Sequence, residues 1–162
     1  SKNSNIKSDL LYRRGGTYER KGDYVNADKD LLQSLAINPD DTYVLNYLAY
    51  SWLERNYKIE VAIEMLERAH KEEKNDPYIL DSIGWAYYLI GDFIKAEKFL
   101  TQAIKLMPDD PIVNDHYGDI LWMMDRKIQA RYYWKSVLAI EDADEDMKKN
   151  INDKLLIGLI KT

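Results

Sequence analysis

Apolar residues return every three or four positions through most of this chain, and they do so in pairs of short stretches. Leu80, Ile83, Gly84 and Tyr87 mark one such face, and Ala96, Phe99, Leu100, Ala103 and Ile104 the next. That is the spacing of amphipathic helices. Between members of a pair stand Lys21-Gly22-Asp23 and Ile90-Gly91-Asp92, where glycine takes the positive φ that ends a helix. Between pairs stand Asn38-Pro39-Asp40-Asp41 and Met107-Pro108-Asp109-Asp110-Pro111, where proline halts one helix and aspartate caps the next. The pattern predicts helical hairpins in series.

The hairpins repeat in register. Small residues recur at Gly15, Ala49, Gly84 and Gly118, at spacings of 34, 35 and 34, and a second column follows at Ala27, Ala62, Ala96 and Ala130. Leu31, Leu66, Leu100 and Trp134 form a third column. Two helices approach closely only where one side chain is a hydrogen or a methyl group, so the small columns mark the contact line and the bulky ones fill the space beside it. The expected fold is all-α: a right-handed α-solenoid of four hairpins over 8–41, 42–76, 77–110 and 111–144. A polar, loose segment is expected before them over 1–7 and a capping helix after them over 145–162. In that last helix Met147, Ile151, Leu155 and Leu159 recur at four-residue steps, with Glu145 and Asp146 near its start and Lys154 and Lys161 towards its end, as the helix dipole prefers.

The segment Asp81-Ser82-Ile83-Gly84-Trp85-Ala86-Tyr87, followed by Gly91-Asp92-Phe93, Ala96, Leu100, Ala103 and Pro108, closely resembles the tetratricopeptide repeat. With His116-Tyr117-Gly118-Asp119-Ile120-Leu121-Trp122 it is similar to the C-terminal repeats of bacterial multi-repeat proteins. Two departures stand out. Arg14 and Ser34 occupy places where that family has apolar or small residues, which suits a terminal repeat facing solvent or a missing upstream repeat. From Ala49 to Ala62 there are 13 steps where the other repeats have 12, so one residue is inserted near Asn56, in a turn.

Composition narrows the function. The 23 basic and 28 acidic residues leave a formal charge of −5, which gives no general affinity for nucleic acid or anionic membrane. No stretch approaches the roughly 20 apolar residues that cross a bilayer. Without cysteine there is no thiol chemistry, and cytoplasm and bacterial periplasm both stay open. The chain opens Ser1-Lys2, which points to a cut or processed piece of a longer protein. No phosphate-binding glycine loop, paired-histidine zinc motif or serine elbow is present, and no catalytic residue, metal site or cofactor is expected. His116 stands between Asp115 and Asp119 but has no third partner in sequence, so a plain groove residue is the better reading than a base or ligand.

The resemblance implies that the first helix of each hairpin lines a concave groove, and the register says which residues face it. They are Asp9, Tyr12, Arg13 and Glu19 in the first repeat; Tyr43, Asn46, Tyr47, Tyr50 and Leu53 in the second; Tyr78, Asp81, Ser82, Trp85 and Tyr88 in the third; and Asp115, His116, Asp119 and Trp122 in the fourth. Aromatic residues interleaved with acids suit a peptide-binding surface. The expected function is a protein-interaction module for a protein or peptide ligand of basic or mixed charge, with Trp85 and Tyr88 as anchors and Asp81, Asp115 and Asp119 setting selectivity. The basic clamp with which some relatives grip a C-terminal carboxylate is missing, because Tyr12, Asn46, Tyr78 and Ser82 stand in its places. The alternatives are a scaffold that self-associates as a homo-oligomer, or the docking domain of a larger enzyme.

Overall fold

The structure is a computed structural model that describes residues 2–160. Its elements are α1 (Lys2–Arg20), α2 (Tyr24–Ile37), α3 (Thr42–Glu54), α4 (Ile59–Glu72), α5 (Pro77–Leu89), α6 (Phe93–Leu106), α7 (Pro111–Met123), α8 (Lys127–Leu138) and α9 (Glu145–Ile157), and among the described residues there is no strand. They fall into two compact units, Ser1–Lys74 and Asn75–Thr162. In the first unit α1 packs on α2, α2 on α3 and α3 on α4. In the second, α5 packs on α6, α6 on α7, α7 on α8 and α8 on α9. Residues 2–7, expected to be loose, belong to α1. Lys161 lies outside the described residues.

All four hairpins turn by one device. The second residue after the first helix takes a left-handed conformation and its N–H bonds back three residues, while the following N–H bonds back five. Gly22 donates to Glu19 and Asp23 to Tyr18; Asn56 to Leu53 and Tyr57 to Trp52; Gly91 to Tyr88 and Asp92 to Tyr87; Asp125 to Trp122 and Arg126 to Leu121. Glycine fills the left-handed place twice, Asn56 once and Asp125 once, with φ of 51° and 61° at the last two. In the first, third and fourth turns the next residue already caps the second helix. In the second turn Tyr57 intervenes, so it is the inserted residue, and Lys58 must itself take φ 45° to start α4. The extra ring is not wasted, since Tyr57 meets Trp52 edge-on at 5.6 Å.

The first helices of the second, third and fourth hairpins start where aspartate precedes them. Asp41 accepts from the N–H groups of Tyr43 and Val44, Asp76 from Tyr78 and Ile79, and Asp110 from Val113. Pro77 and Pro111 occupy first-turn positions, where the missing N–H costs nothing. Asp144 caps α9 through the Met147 N–H. Gly158, at φ 73°, ends that helix one turn before the four-residue pattern does, and Leu159 packs on the core from beyond the helix.

Inside the hairpins the contact line is dry and tight. Ala27, Ala62, Ala96 and Ala130 are fully buried, as are Leu31, Leu66, Leu100 and Trp134. The first hairpin departs from this. Where Leu48 and Met65 or Ile83 and Phe99 stand in later repeats, Arg14 donates to both oxygens of the buried Asp30 at 2.6 and 2.9 Å. Beside it Ser8 and Ser34 are buried with their hydroxyls 2.9 Å apart, and each also donates to the other's backbone carbonyl. Arg14 and Ser34 thus have specific partners within their own hairpin.

Gly84 shows how tight the line is. A Cβ there would overlap the side chain of Leu100 and stand 3.2 Å from both the Ala96 carbonyl oxygen and the Phe99 Cβ. Alanine raises intrinsic helix propensity by about 1 kcal/mol, and overpacking a core costs about 1–3 kcal/mol. Gly84→Ala is expected to lower the stability of the second unit in denaturant titration, and a gain would show that α5 and α6 do not touch on this line.

Candidate functional site

The residues assigned to the groove come from the first helices, and the structure sorts them by unit. In the first unit, Tyr12 of α1 meets Tyr47 of α3 edge-on at 5.8 Å, and the Tyr47 hydroxyl donates to Glu19 at 2.9 Å. Burial and that carboxylate push the Tyr47 phenol up to about 12. Asn46 and Tyr50 are half-buried beside them, and Tyr43 is 75% exposed. The Asn46 Oδ1 is buried and accepts no hydrogen bond among the described residues. Leu53, assigned to the same face, is instead part of the core.

In the second unit Tyr78 is 62% exposed, while Ser82 is buried. The centre of this face is an aromatic stack: Trp85 lies 4.5 Å from Tyr88 at 16° and 4.0 Å from the His116 ring at 13°. His116 is therefore not a groove residue open to a ligand. It is buried, with Nδ1 2.9 Å from Asp81 Oδ1. Burial works against its charge, but Asp81, then Asp115 and Asp119, outweigh it and raise its pKa. A histidine covered by tryptophan and held by a buried aspartate is poorly placed to take a proton from a substrate. Among the described residues no three His, Asp, Glu or Cys side chains converge as metal ligands.

The acids are the larger correction. Asp81, Asp115 and Asp119 were expected to face a basic ligand. Asp81 and Asp119 are buried, and each acid already has a partner within the unit. Lys154 of α9 donates to Asp115 at 2.7 Å and to both oxygens of Asp119 at 2.9 and 3.1 Å. The Trp134 indole N–H donates to Asp119 as well, at 3.0 Å. Burial pushes the Asp119 carboxyl up to about 6, with Lys154 opposing and Asp115 adding to the rise. Trp122, the last residue of the expected stripe, packs at 5.3 Å on Trp134 and under the guanidinium of Arg131. Lys154, expected only to favour the helix dipole, is thus the cation of this cluster. The clue was its position three residues after Ile151, on the apolar side of its helix.

The hairpins, their register and their turns have counterparts in known proteins. A tetratricopeptide repeat family model matches residues 5–143. The chain belongs to the tetratricopeptide repeat family. Its relatives include the TPR repeat-containing protein PA4667 of Pseudomonas aeruginosa, 37% identical over 111 residues; these are 68% of this chain and 19% of that protein. Among solved structures, PilF of Pseudomonas aeruginosa superposes with a TM-score of 0.75 at 17% identity, covering 99% of this chain and 80% of PilF. MamA of Desulfovibrio magneticus RS-1 gives 0.71 at 20%, over 85% of this chain and 77% of that one. The thermophilic TPR protein TTC0263 of Thermus thermophilus gives 0.62 at 20%, over 93% and 100%. At these identities the structures show the fold, the α-solenoid class of helical hairpins. The tetratricopeptide repeat is generally a non-catalytic module of protein–protein interaction, and no described helix of this TPR chain is long and apolar enough to cross a membrane.

The buried charges set a pH dependence. His116, with its pKa raised on folding, adds stability that is complete below about pH 6.5 and is lost as the pH rises through the folded value. Asp119, pushed up to about 6, is protonated in the folded state where an unfolded aspartate is not. Its burial penalty is therefore full above that value and fades as the pH falls towards about 4. Both groups act in one direction. Burial lowers the pKa of His70 in the first unit, which acts the other way there, so it is the second unit that is expected to melt higher at about pH 5.5 than at about pH 8.5, and His116→Gln should narrow the difference. A second unit more stable at the alkaline end would contradict the assignment.

Proposed function

We propose that this TPR chain is an adaptor that takes a polypeptide segment on the first-helix faces of its hairpins, with aromatic side chains as anchors. The observation that carries this reading is the pair Tyr43 and Tyr78. They stand at the same place in successive repeats, one in each unit, with their backbones held by Asp41 and Asp76 and their rings largely in water. Tyrosine offers a large amphipathic contact surface at low entropy cost and is enriched at binding hot spots. Beside Tyr43 lie Tyr12, Asn46, Tyr47 and Tyr50, and in its own unit Tyr78 accompanies Trp85 and Tyr88. Selectivity for basic ligands through Asp81, Asp115 and Asp119 has less support, since His116 and Lys154 already partner those acids.

A random peptide library panned on the immobilised chain tests this. Peptides that enrich are expected to lose about 2 kcal/mol of affinity on Tyr78→Ala or Tyr43→Ala, as anchors do, with helicity unchanged. Tyr132→Ala, at a 66% exposed position on the second helix α8, should leave them unaffected. The reverse pattern, or a library that yields no binder, would sink the proposal. A self-associating scaffold is the second reading, favoured by Ile6 and Leu10 left exposed on α1 and Leu156 and Ile157 on α9. It predicts a sedimentation coefficient that grows with concentration and stops growing in Leu10→Lys, whereas an adaptor sediments as a monomer throughout.

A further inference from the structure

The expected stripe on α7, Asp115, Asp119 and Trp122, is occupied, and what occupies it is a helix of the same chain. Lys154 enters between the two carboxylates, with the Trp134 ring 5.9 Å from its ammonium. One turn on, Gly158 lies so close to the Trp122 indole that a Cβ would overlap the ring. Arg131 of α8 donates to the Leu155 carbonyl at the end of the helix, and Leu155 and Leu159 pack beside Trp134 and Val137. These contacts read side chains and not merely an apolar face: a cation at one position, no side chain at all four residues later, and leucines one and five residues after the cation.

We infer that this face of α7 and α8 is a lysine-recognition pocket whose internal ligand is α9, and that a partner helix of the same chemistry enters by displacing α9. The inference deepens the adaptor reading by naming a partner class for one hairpin: a helix whose C-terminal end reads Lys-Leu-x-x-Gly-Leu, with the glycine closing the helix as Gly158 does. Charge accounts for the selectivity. Removing lysine from the pocket leaves two carboxylates side by side, one of them buried, and a buried charge without its partner is strongly unfavourable. For Lys154 itself burial opposes the charge, but Asp119 and Asp115 outweigh that cost and raise its pKa, so the ammonium persists at neutral pH. The outer side of α9, with Leu156 and Ile157 in water, adds nothing to hold it in place. Tethering alone presents α9 to its own pocket at an effective concentration on the order of millimolar, which masks the site from weak competitors.

The test uses the full chain and a fluorescein-labelled peptide of residues 144–160, read by fluorescence anisotropy. The wild-type chain is expected to bind the probe weakly. Lys154→Met and Gly158→Val chains, whose own α9 is weakened, should bind it at least about tenfold more tightly, since apparent affinity scales with the open fraction. A probe carrying Lys154→Met should lose about the same factor, as expected from that fractional occupancy. The two chain variants weaken α9 by different contacts, so if one loses its helicity by circular dichroism the other decides. Equal affinity for wild-type and variant chains, or equal binding of the probe without lysine, would overturn the inference. Neither outcome depends on the peptide selection above, because the probe is the chain's own segment and the pocket contains neither Tyr43 nor Tyr78.

Discussion

The close approach of two helices along a line of glycine and alanine is the constraint from which the rest of the molecule follows. It fixes the register of each hairpin, because a shift by one residue would drive Leu100 or Trp134 into a backbone with no room for it. It also fixes the turns. Helices that meet this closely need a reversal of the same geometry, and the left-handed cap supplies it in all four cases with three different residue types. Register and turn together decide which residues of a first helix point inward and which remain available to a ligand.

That line was legible in the sequence because it is written in spacing. Columns 34 or 35 residues apart survive variation elsewhere, and they identify both the hairpins and the family. The insertion near Asn56 was legible for the same reason, though only the cap geometry identifies Tyr57 as the extra residue. Periodicity also assigned a face to each first helix, and on that face Tyr43 and Tyr78 are exposed. It did not reveal which of those positions were already taken. Asp119 and Lys154 are 35 residues apart, and nothing in the pattern of either helix says that one closes on the other. A list of acids on one face thus looked like a site for an external cation when the cation was internal. Residues 2–7 were misread for a similar reason. Polar composition is compatible with a helix that is anchored next door, and Ser8, just beyond them, is buried and bonded to Ser34.

The two proposed surfaces differ in how they are prepared. Tyr43 and Tyr78 are side chains on rigid, capped helix starts, so little ordering remains to be done when something lands on them. The pocket at Asp115 and Asp119 is prepared in the opposite sense, complete and occupied. Trp85 belongs to neither extreme, since its ring is shared between Tyr88 and His116 and serves the interior as much as the surface.

The first hairpin has a property of a different kind. Its contact line holds an arginine–aspartate pair where the second and third hairpins hold leucine with methionine and isoleucine with phenylalanine, and two facing serines lie beside that pair. Opening it wets less hydrocarbon, and exposed hydrocarbon is what gives unfolding its large heat capacity. Its stability should therefore vary less steeply with temperature than that of the other hairpins. In the cold, where apolar burial loses strength, a contact line that rests partly on an ion pair and hydroxyls weakens less than one made of hydrocarbon alone.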